Sequence, residues 1–334
     1  MARALGDQVL VVTGASQGIG RETCLQLAMH GSSVVLAARN EEALRTLATE
    51  VERIGGQAEV VVTDVAEWPQ VEALAGRALD RFGRIDSWVN NAAVSVYATF
   101  DELAPDEIER VIRVNLLGVM YGTLAAIPHV RREAGTIINV GSALSARAIP
   151  LQAPYVAAKH GVKGFTEAVR MELEREAPGV NVVLIMPSSI NTPLFTNARS
   201  RLGVKPMPVP PVYEPRVVAE AILFAAENPA RDIVVGGSGK LLVEGERISP
   251  WLTDRYMLQG DLAFRQQQTD RPDDGVDNLF EPSRGAGSTT GEFGEGSKST
   301  SLYTRYLEFH PQVKRGLLWA SLATLVIGIR RLGR

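Results

Sequence analysis

The sequence predicts an α/β fold in which a doubly wound, seven-stranded parallel sheet carries helices on both faces. From residue 8 to about residue 235, short β-branched runs alternate with longer stretches of helical period. Such alternation produces βαβ units, and right-handed crossovers favour the doubly wound arrangement. The runs are nearly continuous in apolar residues, as expected of strands buried on both faces. They lie at 9–12, 34–36, 60–62, 88–89, 136–140, 182–185 and 233–235.

Length and composition exclude several classes of protein. A chain of 334 residues accommodates one large domain of about 250 residues with an appendage, or two modest domains. The net charge of −3 offers no attraction for nucleic acid, so we expect no such partner. Cys24 has no second cysteine to pair with, and a buried thiol in a reducing compartment is expected. The N-terminus has no secretion-signal pattern, which favours a cytoplasmic location.

Composition divides the chain into three parts. Residues 1–250 form the predicted catalytic domain. Residues 261–300 are rich in Gly, Ser, Asp and Glu and predict a flexible linker. Residues 301–334 carry six positive charges against one carboxylate and predict a basic, hydrophobic C-terminal helix.

The apolar run 316–329 within that last part contains no ionisable residue. As a helix it is about 21 Å long, which is shorter than the roughly 30 Å hydrocarbon core of a bilayer. Basic residues at both ends can snorkel and extend its reach. We expect membrane attachment by shallow insertion or a short span. The alternative is docking on its own domain or on a partner chain.

A glycine-rich loop follows the first strand directly. Residues 13–20 are TGASQGIG, and a helical pattern starts at Arg21. Glycines permit a tight turn and let backbone N–H groups at a helix N-terminus approach a pyrophosphate. The alternative, a turn without a ligand, is disfavoured by the position between the first strand and a helix. The candidate cofactor contacts here are Gly14, Ser16, Gly18, Ile19 and Gly20.

The end of the second strand indicates which dinucleotide is preferred. An acidic residue there would accept from the ribose 2′-OH, whereas Arg39 can pair with a 2′-phosphate. NADP(H) is therefore favoured over NAD(H). The alternative is that Arg39 is a solvated surface charge.

Several short motifs follow one another along the chain. They are TGASQGIG at 13–20, Asp64-Val65, NNAA at 90–93, Asn115, Ser142, YVAAK at 155–159 and PSSINT at 187–192. Taken in this order, they resemble the short-chain dehydrogenase/reductase family over residues 5–245. The resemblance implies a Rossmann-type fold and NAD(P)-dependent oxidoreductase activity on a carbonyl or an alcohol. It also implies that Asp64 and Val65 flank the adenine, that Asn91 and Ala92 line the cofactor groove, and that Thr192, after Pro187, contacts the nicotinamide carboxamide.

Three positions depart from the family pattern. Gln17 stands where many NADP-preferring members have Lys or Arg, which weakens the cofactor assignment. Ala93 replaces a usual glycine, so the backbone there must avoid positive φ. Ser188 replaces the glycine that usually follows the proline after the sixth strand, which predicts a slightly reshaped nicotinamide edge.

The candidate catalytic residues begin with Tyr155 and Lys159, which are four apart in a helical stretch and so share one face. An ammonium near the phenol favours the phenolate and lowers the pKa of Tyr155 from about 10. Tyr155 then serves as general acid in reduction and as base in oxidation. Ser142, after the fifth strand, can hydrogen-bond the substrate oxygen, with Ser145 as the alternative. The resemblance implies that Asn115 completes a tetrad by holding a water; the alternative is a local backbone contact.

Loops beyond the strands supply the expected substrate contacts. They are mostly apolar, which predicts a small hydrophobic alcohol or ketone as substrate; the alternative is that these side chains only pack the loops down. The residues are Val94, Tyr97, Phe100, Leu144, Ile149, Leu151, Leu194, Phe195 and Met207. We expect a homo-oligomer, and no metal site because no cluster has ligand spacing. The rival functions are a non-enzymatic dinucleotide sensor and a membrane scaffold on the same fold.

Overall fold

The structure is a computed structural model that describes residues 3–228, 230–310 and 312–313. The apolar run 316–329 lies outside the described residues. Membrane attachment through it therefore stays a prediction.

A seven-stranded parallel sheet forms the centre of the molecule. All seven strands occur where the apolar runs predicted them. They are β1 (Val9–Thr13), β2 (Ser33–Ala38), β3 (Gln57–Val62), β4 (Ser87–Asn90), β5 (Thr136–Val140), β6 (Asn181–Pro187) and β7 (Asp232–Val235). Their order in the sheet is β7-β6-β5-β4-β1-β2-β3, which confirms the predicted α/β, doubly wound fold.

Helices cover both faces of the sheet. They are α1 (Gly18–Met29), α2 (Glu41–Arg53), α3 (Trp68–Phe82), α4 (Pro105–Ile112), α5 (Gly118–Glu133), α6 (Ala153–Glu176), α7 (Pro215–Glu227), α8 (Gly237–Ile248), α9 (Pro250–Leu258) and α10 (Leu262–Arg265). A π-helical turn, Arg113–Leu117, joins α4 to α5. The core beside α1, α2 and α7 takes Leu10 and Val12 from β1, whereas Val11 joins the opposite core beside α3, α5 and α6. Alternate residues of one strand thus stabilise both layers, at about 1.5–3 kcal/mol for each large apolar side chain buried.

Local signals in the sequence fix several helix ends. The side chain of Asn40 caps α2 by accepting a hydrogen bond from the backbone N–H of Ala43 at 3.0 Å. Pro215 occupies the first turn of α7, where a missing N–H costs nothing. Gly83 ends α3 in the left-handed conformation, with φ of 76°.

The continuous helical stretch Pro105–Glu133 is long and apolar enough to cross a membrane by length and composition alone. Half of its apolar window is buried inside the domain. Its α5 part contributes Ala126 and Val130 to the core beside α3. We therefore interpret this stretch as a core helix.

The structure differs from the predicted flexible linker at 261–300. Strand Gln268–Pro272 pairs antiparallel with Val204–Pro206, and the side chain of Leu279 is fully buried. Much of this segment is held through its backbone carbonyl and N–H groups. Such contacts leave no apolar periodicity in the sequence, so composition alone did not reveal them.

Candidate functional site

A cavity of about 890 Å³ lies at the carboxyl edge of the sheet, next to the junction of β1 and β4, where the strand order reverses. Ligands of open α/β sheets bind at such a switch point. The cavity is lined by most of the predicted site residues. They are Gly14, Ser16, Gly18, Ile19, Arg39, Asp64, Val65, Asn91, Ala92, Ser142, Tyr155, Lys159, Pro187 and Thr192.

The glycine-rich loop is packed too tightly for side chains. A Cβ on Gly14, whose φ is 68°, would lie 2.8 Å from Cα of Ala92. A Cβ on Gly20 would lie 2.2 Å from the carbonyl oxygen of Gly14, so Gly20 supports the loop from beneath and does not line the cavity. Asn91 donates from Nδ2 to the carbonyls of Thr13 and Gly14 at 3.0 and 3.3 Å. The resulting cradle leads into the N-terminus of α1 and fits a pyrophosphate.

Two arginines and one carboxylate lie where the adenosine end of a dinucleotide is expected. Arg110 donates to Oδ2 of Asp64 at 2.7 Å. Burial raises the pKa of Asp64, but hydrogen bonds from Arg110 and from the N–H of Ala66 outweigh it and bring the pKa below its ordinary value. The side chain of Arg39 is half-buried and donates to backbone carbonyls, so it is not the free surface charge of the alternative interpretation.

Tyr155 and Lys159 meet on the buried face of α6, as their spacing predicts. Their relative exposures are 9% and 2%, and Nζ of Lys159 lies 5.5 Å from the centre of the tyrosine ring. The same Nζ donates to the carbonyl of Val140 at 2.8 Å. Ser142 lines the same cavity and acts to lower the pKa of the phenol. The structure thus brings the phenol, the hydroxyl and the amine together in one cavity.

The pKa of Tyr155 is not lowered, contrary to the expectation from its spacing to Lys159. Burial raises the pKa of Tyr155 to about 12, and Ser142 acts in the opposite direction without reversing the shift. Burial also lowers the pKa of Lys159 to about 8. Removal from water disfavours both charged forms, and this effect exceeds the attraction between them. The phenol is therefore held protonated at neutral pH, which suits a general acid.

Ser142 and Ser145 have different roles in the site. Oγ of Ser142 accepts from the N–H of Leu144 at 3.1 Å, and the N–H of Ser142 donates to Oγ of Ser145 at 3.1 Å. The two serines thus form a box around the short 3-10 turn Ala143–Ser145. Ser142 faces Tyr155, whereas Ser145 fixes the backbone that presents it.

Asn115 lies in the π-helical turn and is fully buried. Its Nδ2 donates to the carbonyl of Val94 at 2.8 Å, and its Oδ1 accepts from the N–H of Val94 at 2.9 Å. The side chain is therefore engaged by the backbone of Val94, which lies 21 residues away in the sequence, and not by a local group of its own helix. It does not line the cavity, but it fixes Val94, which does.

The three departures from the family pattern have local explanations. Ala93 is not among the non-glycine residues of positive φ in the described ranges, so the replaced glycine is not required there. Oγ of Ser188 would lie 2.1 Å from a Cβ on Gly236, so a glycine opposite makes room for this serine. Gln17 accepts through Oε1 from Asn197 at 2.9 Å, which ties the phosphate loop to the loop after β6.

The substrate side of the cavity is mostly apolar. Seven of the predicted residues line it: Val94, Tyr97, Leu144, Ile149, Leu194, Phe195 and Met207. Phe100 is 67% exposed and lies elsewhere, and Leu151 is buried with Tyr97 in a separate small cluster. Helices α8 and α9 supply a further wall of the cavity, which was not expected from the sequence pattern. Its residues are Leu241, Leu242, Ile248, Leu252, Tyr256 and Met257, whose apolar spacing was the available signal.

Comparisons with known proteins agree with this geometry. The model of the short chain dehydrogenase family matches residues 8–203. The oxidoreductase YxnA of Bacillus subtilis is 42% identical over 273 residues, covering 81% of this chain and 76% of YxnA. A 3-oxoacyl-[acyl-carrier-protein] reductase of Synechocystis is 36% identical over 235 residues, covering 70% of this chain and 94% of that protein.

A solved structure shows the same likeness. The alcohol dehydrogenase of the archaeon Thermococcus sibiricus, complexed with 5-hydroxy-NADP, superposes with a TM-score of 0.60 at 28% identity. The superposition covers 68% of this chain and 95% of that one. The cradle at β1, the switch-point cavity and these matches agree, and we conclude that the chain belongs to the short-chain dehydrogenase family and is an NAD(P)-dependent oxidoreductase.

Proposed function

We propose that the protein is an NADP(H)-dependent oxidoreductase that interconverts a hydrophobic ketone or aldehyde and the corresponding alcohol. The observation that carries the proposal is the placement of Tyr155, Ser142 and Lys159 together in an apolar-walled cavity. An apolar pocket with a few convergent polar groups is typical of a small-molecule site.

The chain's own residues handle the proton and the developing charge. Ser142 and Tyr155 hydrogen-bond the carbonyl oxygen of the substrate, and Tyr155 gives its proton to that oxygen as negative charge develops. In the oxidative direction Tyr155 accepts the proton from the alcohol. Lys159, held by Val140, would contact the cofactor and would stabilise the phenolate once it forms. The bound nicotinamide supplies or accepts the hydride.

Asn115 belongs to this proposal as a positioning residue. Its side chain is engaged by Val94, so we assign the contact with a water that leads to Lys159 to its main chain. The π-helical turn supports such a role because i→i+5 turns shift backbone groups out of the α-helical ladder and are frequent at functional sites.

The cofactor preference rests on Arg39, which follows β2 and lines the cavity. A guanidinium at this position can pair with the 2′-phosphate of NADP(H). The carboxylate of Asp64 lines the same cavity and would repel a phosphate, but its charge is paired with Arg110. The dehydrogenase of Thermococcus sibiricus was solved with an NADP derivative, which is consistent with the same preference here.

We further propose a cytoplasmic homo-oligomer that attaches to a membrane through residues 316–329. The apolar sequence of that run and its basic flanks support attachment. The rival functions, a dinucleotide sensor and a membrane scaffold, do not require a tyrosine, a serine and a lysine gathered in one buried site.

The test is NADPH oxidation by the full chain against a panel of hydrophobic ketones, sugars and short polar ketones, with NADH in parallel. We expect turnover of the hydrophobic ketones and a kcat/KM at least tenfold higher with NADPH. An Arg39→Ala variant should lose that preference through KM. Equal turnover of polar and hydrophobic ketones would refute the substrate class, and a preference for NADH would refute the cofactor assignment.

A further inference from the structure

Residues 278–294, which we name the strap, run along the cofactor side of the cavity. They lie beyond the part of the chain that the family model matches, residues 8–203. The strap contains no helix or strand, yet hydrogen bonds attach it to the domain, among them bonds from Arg110 to Leu279 and from Asn278 to Asn197. Attachments at three further segments border the dinucleotide groove.

The first attachment is at the end of β2. Arg39 donates to the carbonyl of Phe280 at 2.7 Å and to that of Asn278 at 2.5 Å. The neighbouring Asn40 donates from Nδ2 to the carbonyls of Ser283 and Gly285 at 2.6 and 3.0 Å. Hydrogen bonds from a charged donor are about twice as strong as neutral ones. The strap is therefore firmly held beside the adenosine end.

The second attachment is at the phosphate loop itself. The N–H of Gly18, the first residue of α1, donates to the carbonyl of Ser288 at 2.8 Å. Gly287 has a φ of 76°, and a Cβ there would lie 2.2 Å from the carbonyl oxygen of Ser16. Only glycine allows the strap to approach the loop this closely.

The third attachment is at the loop after β6, which carries Thr192. Asn191 accepts through its carbonyl from the N–H of Gly291 at 3.2 Å and through Oδ1 from the N–H of Phe293 at 2.9 Å. The ring of Phe293 packs edge-on against Phe195, with centroids 6.2 Å apart. The strap thus links the adenosine end of the groove with the loop at its nicotinamide end.

The strap borders the cavity without filling it. Asn278, Pro282 and Ser283 line the same space as Asp64 and the phosphate loop, and that space measures about 890 Å³ with the strap in place. Open space therefore remains beside the attached strap, although one donor of the phosphate cradle, the N–H of Gly18, is bonded to Ser288. The remaining space favours a clamp over a plug that the cofactor must displace.

We propose that the strap is part of the cofactor site and closes over the adenosine half of bound NAD(P)(H), so that the dinucleotide leaves only when the strap detaches. The proposal rests on the NAD(P) dependence of the family and is independent of the substrate class. Cofactor release is then slow because it requires the loss of the bonds at Arg39, Asn40 and Gly18 together.

Gly287→Ala tests the clamp directly, because the added methyl group pushes the strap away from Ser16. Gly296→Ala is the matched control: its φ of 73° imposes the same backbone strain, but nothing lies within 4 Å of its Cβ. We expect Gly287→Ala to raise the dissociation rate of NADPH, measured by stopped-flow fluorescence, about tenfold, and to weaken Kd. Gly296→Ala should match the unaltered protein. Unchanged dissociation in Gly287→Ala, or a tighter Kd, would overturn the clamp.

Two further measurements keep the proposal testable if Gly287→Ala folds poorly. Asn40→Ser retains a capping oxygen for α2 but is too short to reach the strap, so it should also speed NADPH release. In the unaltered protein, Arg284 offers trypsin a cleavage site within the strap. Saturating NADPH should slow cleavage there at least tenfold. Faster cleavage with NADPH would identify the strap as a displaced plug, and an unchanged rate would show that it does not meet the cofactor.

Discussion

Nζ of Lys159 lies 5.5 Å from the centre of the Tyr155 ring, one helical turn away on α6. Both side chains are buried, and the amine donates to the neutral carbonyl of Val140. Burial lowers the pKa of Lys159 to about 8 and raises that of Tyr155 to about 12. The pair therefore favours a protonated phenol beside an amine that titrates close to neutral pH.

The stability of the fold should depend on pH through Lys159. The unfolded chain keeps this proton up to a pKa of 10.5, whereas the folded chain releases it near pH 8. Between these values the unfolded state binds more protons, so the free energy of unfolding rises with pH, by up to about 3 kcal/mol. Tyr155, whose folded pKa is raised, reduces stability only above about pH 10. Urea denaturation at pH 7, 8, 9 and 10 measures the rise.

Lys159→Met is the control for that experiment, because methionine fills similar space without a titrating group. The difference in unfolding free energy between the two proteins should change steadily across this pH range. Parallel profiles would show that Lys159 keeps its ordinary pKa in the fold.

Ser142→Ala should lower kcat by about 10²–10³, because the substrate oxygen loses a donor as charge develops on it. Loss of the hydrogen bond to Leu144 should also cost about 1 kcal/mol of stability. Ser145→Ala leaves that hydroxyl in place and removes only its backbone support. The kcat of Ser145→Ala should fall less than tenfold. An equal fall in kcat for both variants would show that the assignment of Ser142 as the catalytic hydroxyl is wrong.

Arg147 joins the loop after Ser142 to the apolar wall of the cavity. Its buried guanidinium pairs with Glu246 on α8 at 2.5 Å and with Asp254 on α9. Arg147→Met should raise KM for hydrophobic substrates about tenfold while kcat changes less than threefold, because the wall loosens but the catalytic groups remain. Arg247→Met, at an exposed position of α8, is the control and should change neither constant.

Asn115→Leu should destabilise the protein by about 3 kcal/mol, because it leaves the buried N–H and carbonyl of Val94 without partners. Asn115→Asp keeps the acceptor for the N–H and, while its carboxyl group is protonated, can donate to the carbonyl. Thermal and urea denaturation at pH 5, where keeping the buried carboxyl protonated costs little, should rank the native chain first, Asn115→Asp second and Asn115→Leu last. A stable Asn115→Leu protein would refute the positioning role.

Much of the fold was predictable because its signals are local. The apolar runs predicted all seven strands, and Asn40 caps α2 as its residue type indicates. The site was predictable for a similar reason: parallel strands bring residues that follow β1, β4 and β5 to one edge of the sheet. Tyr155 and Lys159 share a helix face by spacing alone.

The features that the sequence did not predict depend on burial and on long-range backbone contacts. The pKa of Tyr155 was expected to fall because Lys159 is near, but the extent of burial, which reverses the shift, is a property of the folded core. Similarly, the strap is fixed by carbonyl groups that every residue has. No side-chain pattern marks the bond between Ser288 and Gly18.

Single-turnover hydride transfer in Tyr155→Phe tests the central claim most directly. The variant keeps the ring and its packing but lacks the proton that the substrate oxygen must receive. We predict that the NADPH Kd stays within threefold of the native value while the rate of transfer to a hydrophobic ketone falls about 10²–10⁴-fold. A transfer rate close to that of the native protein would contradict the assignment of Tyr155 as the proton donor.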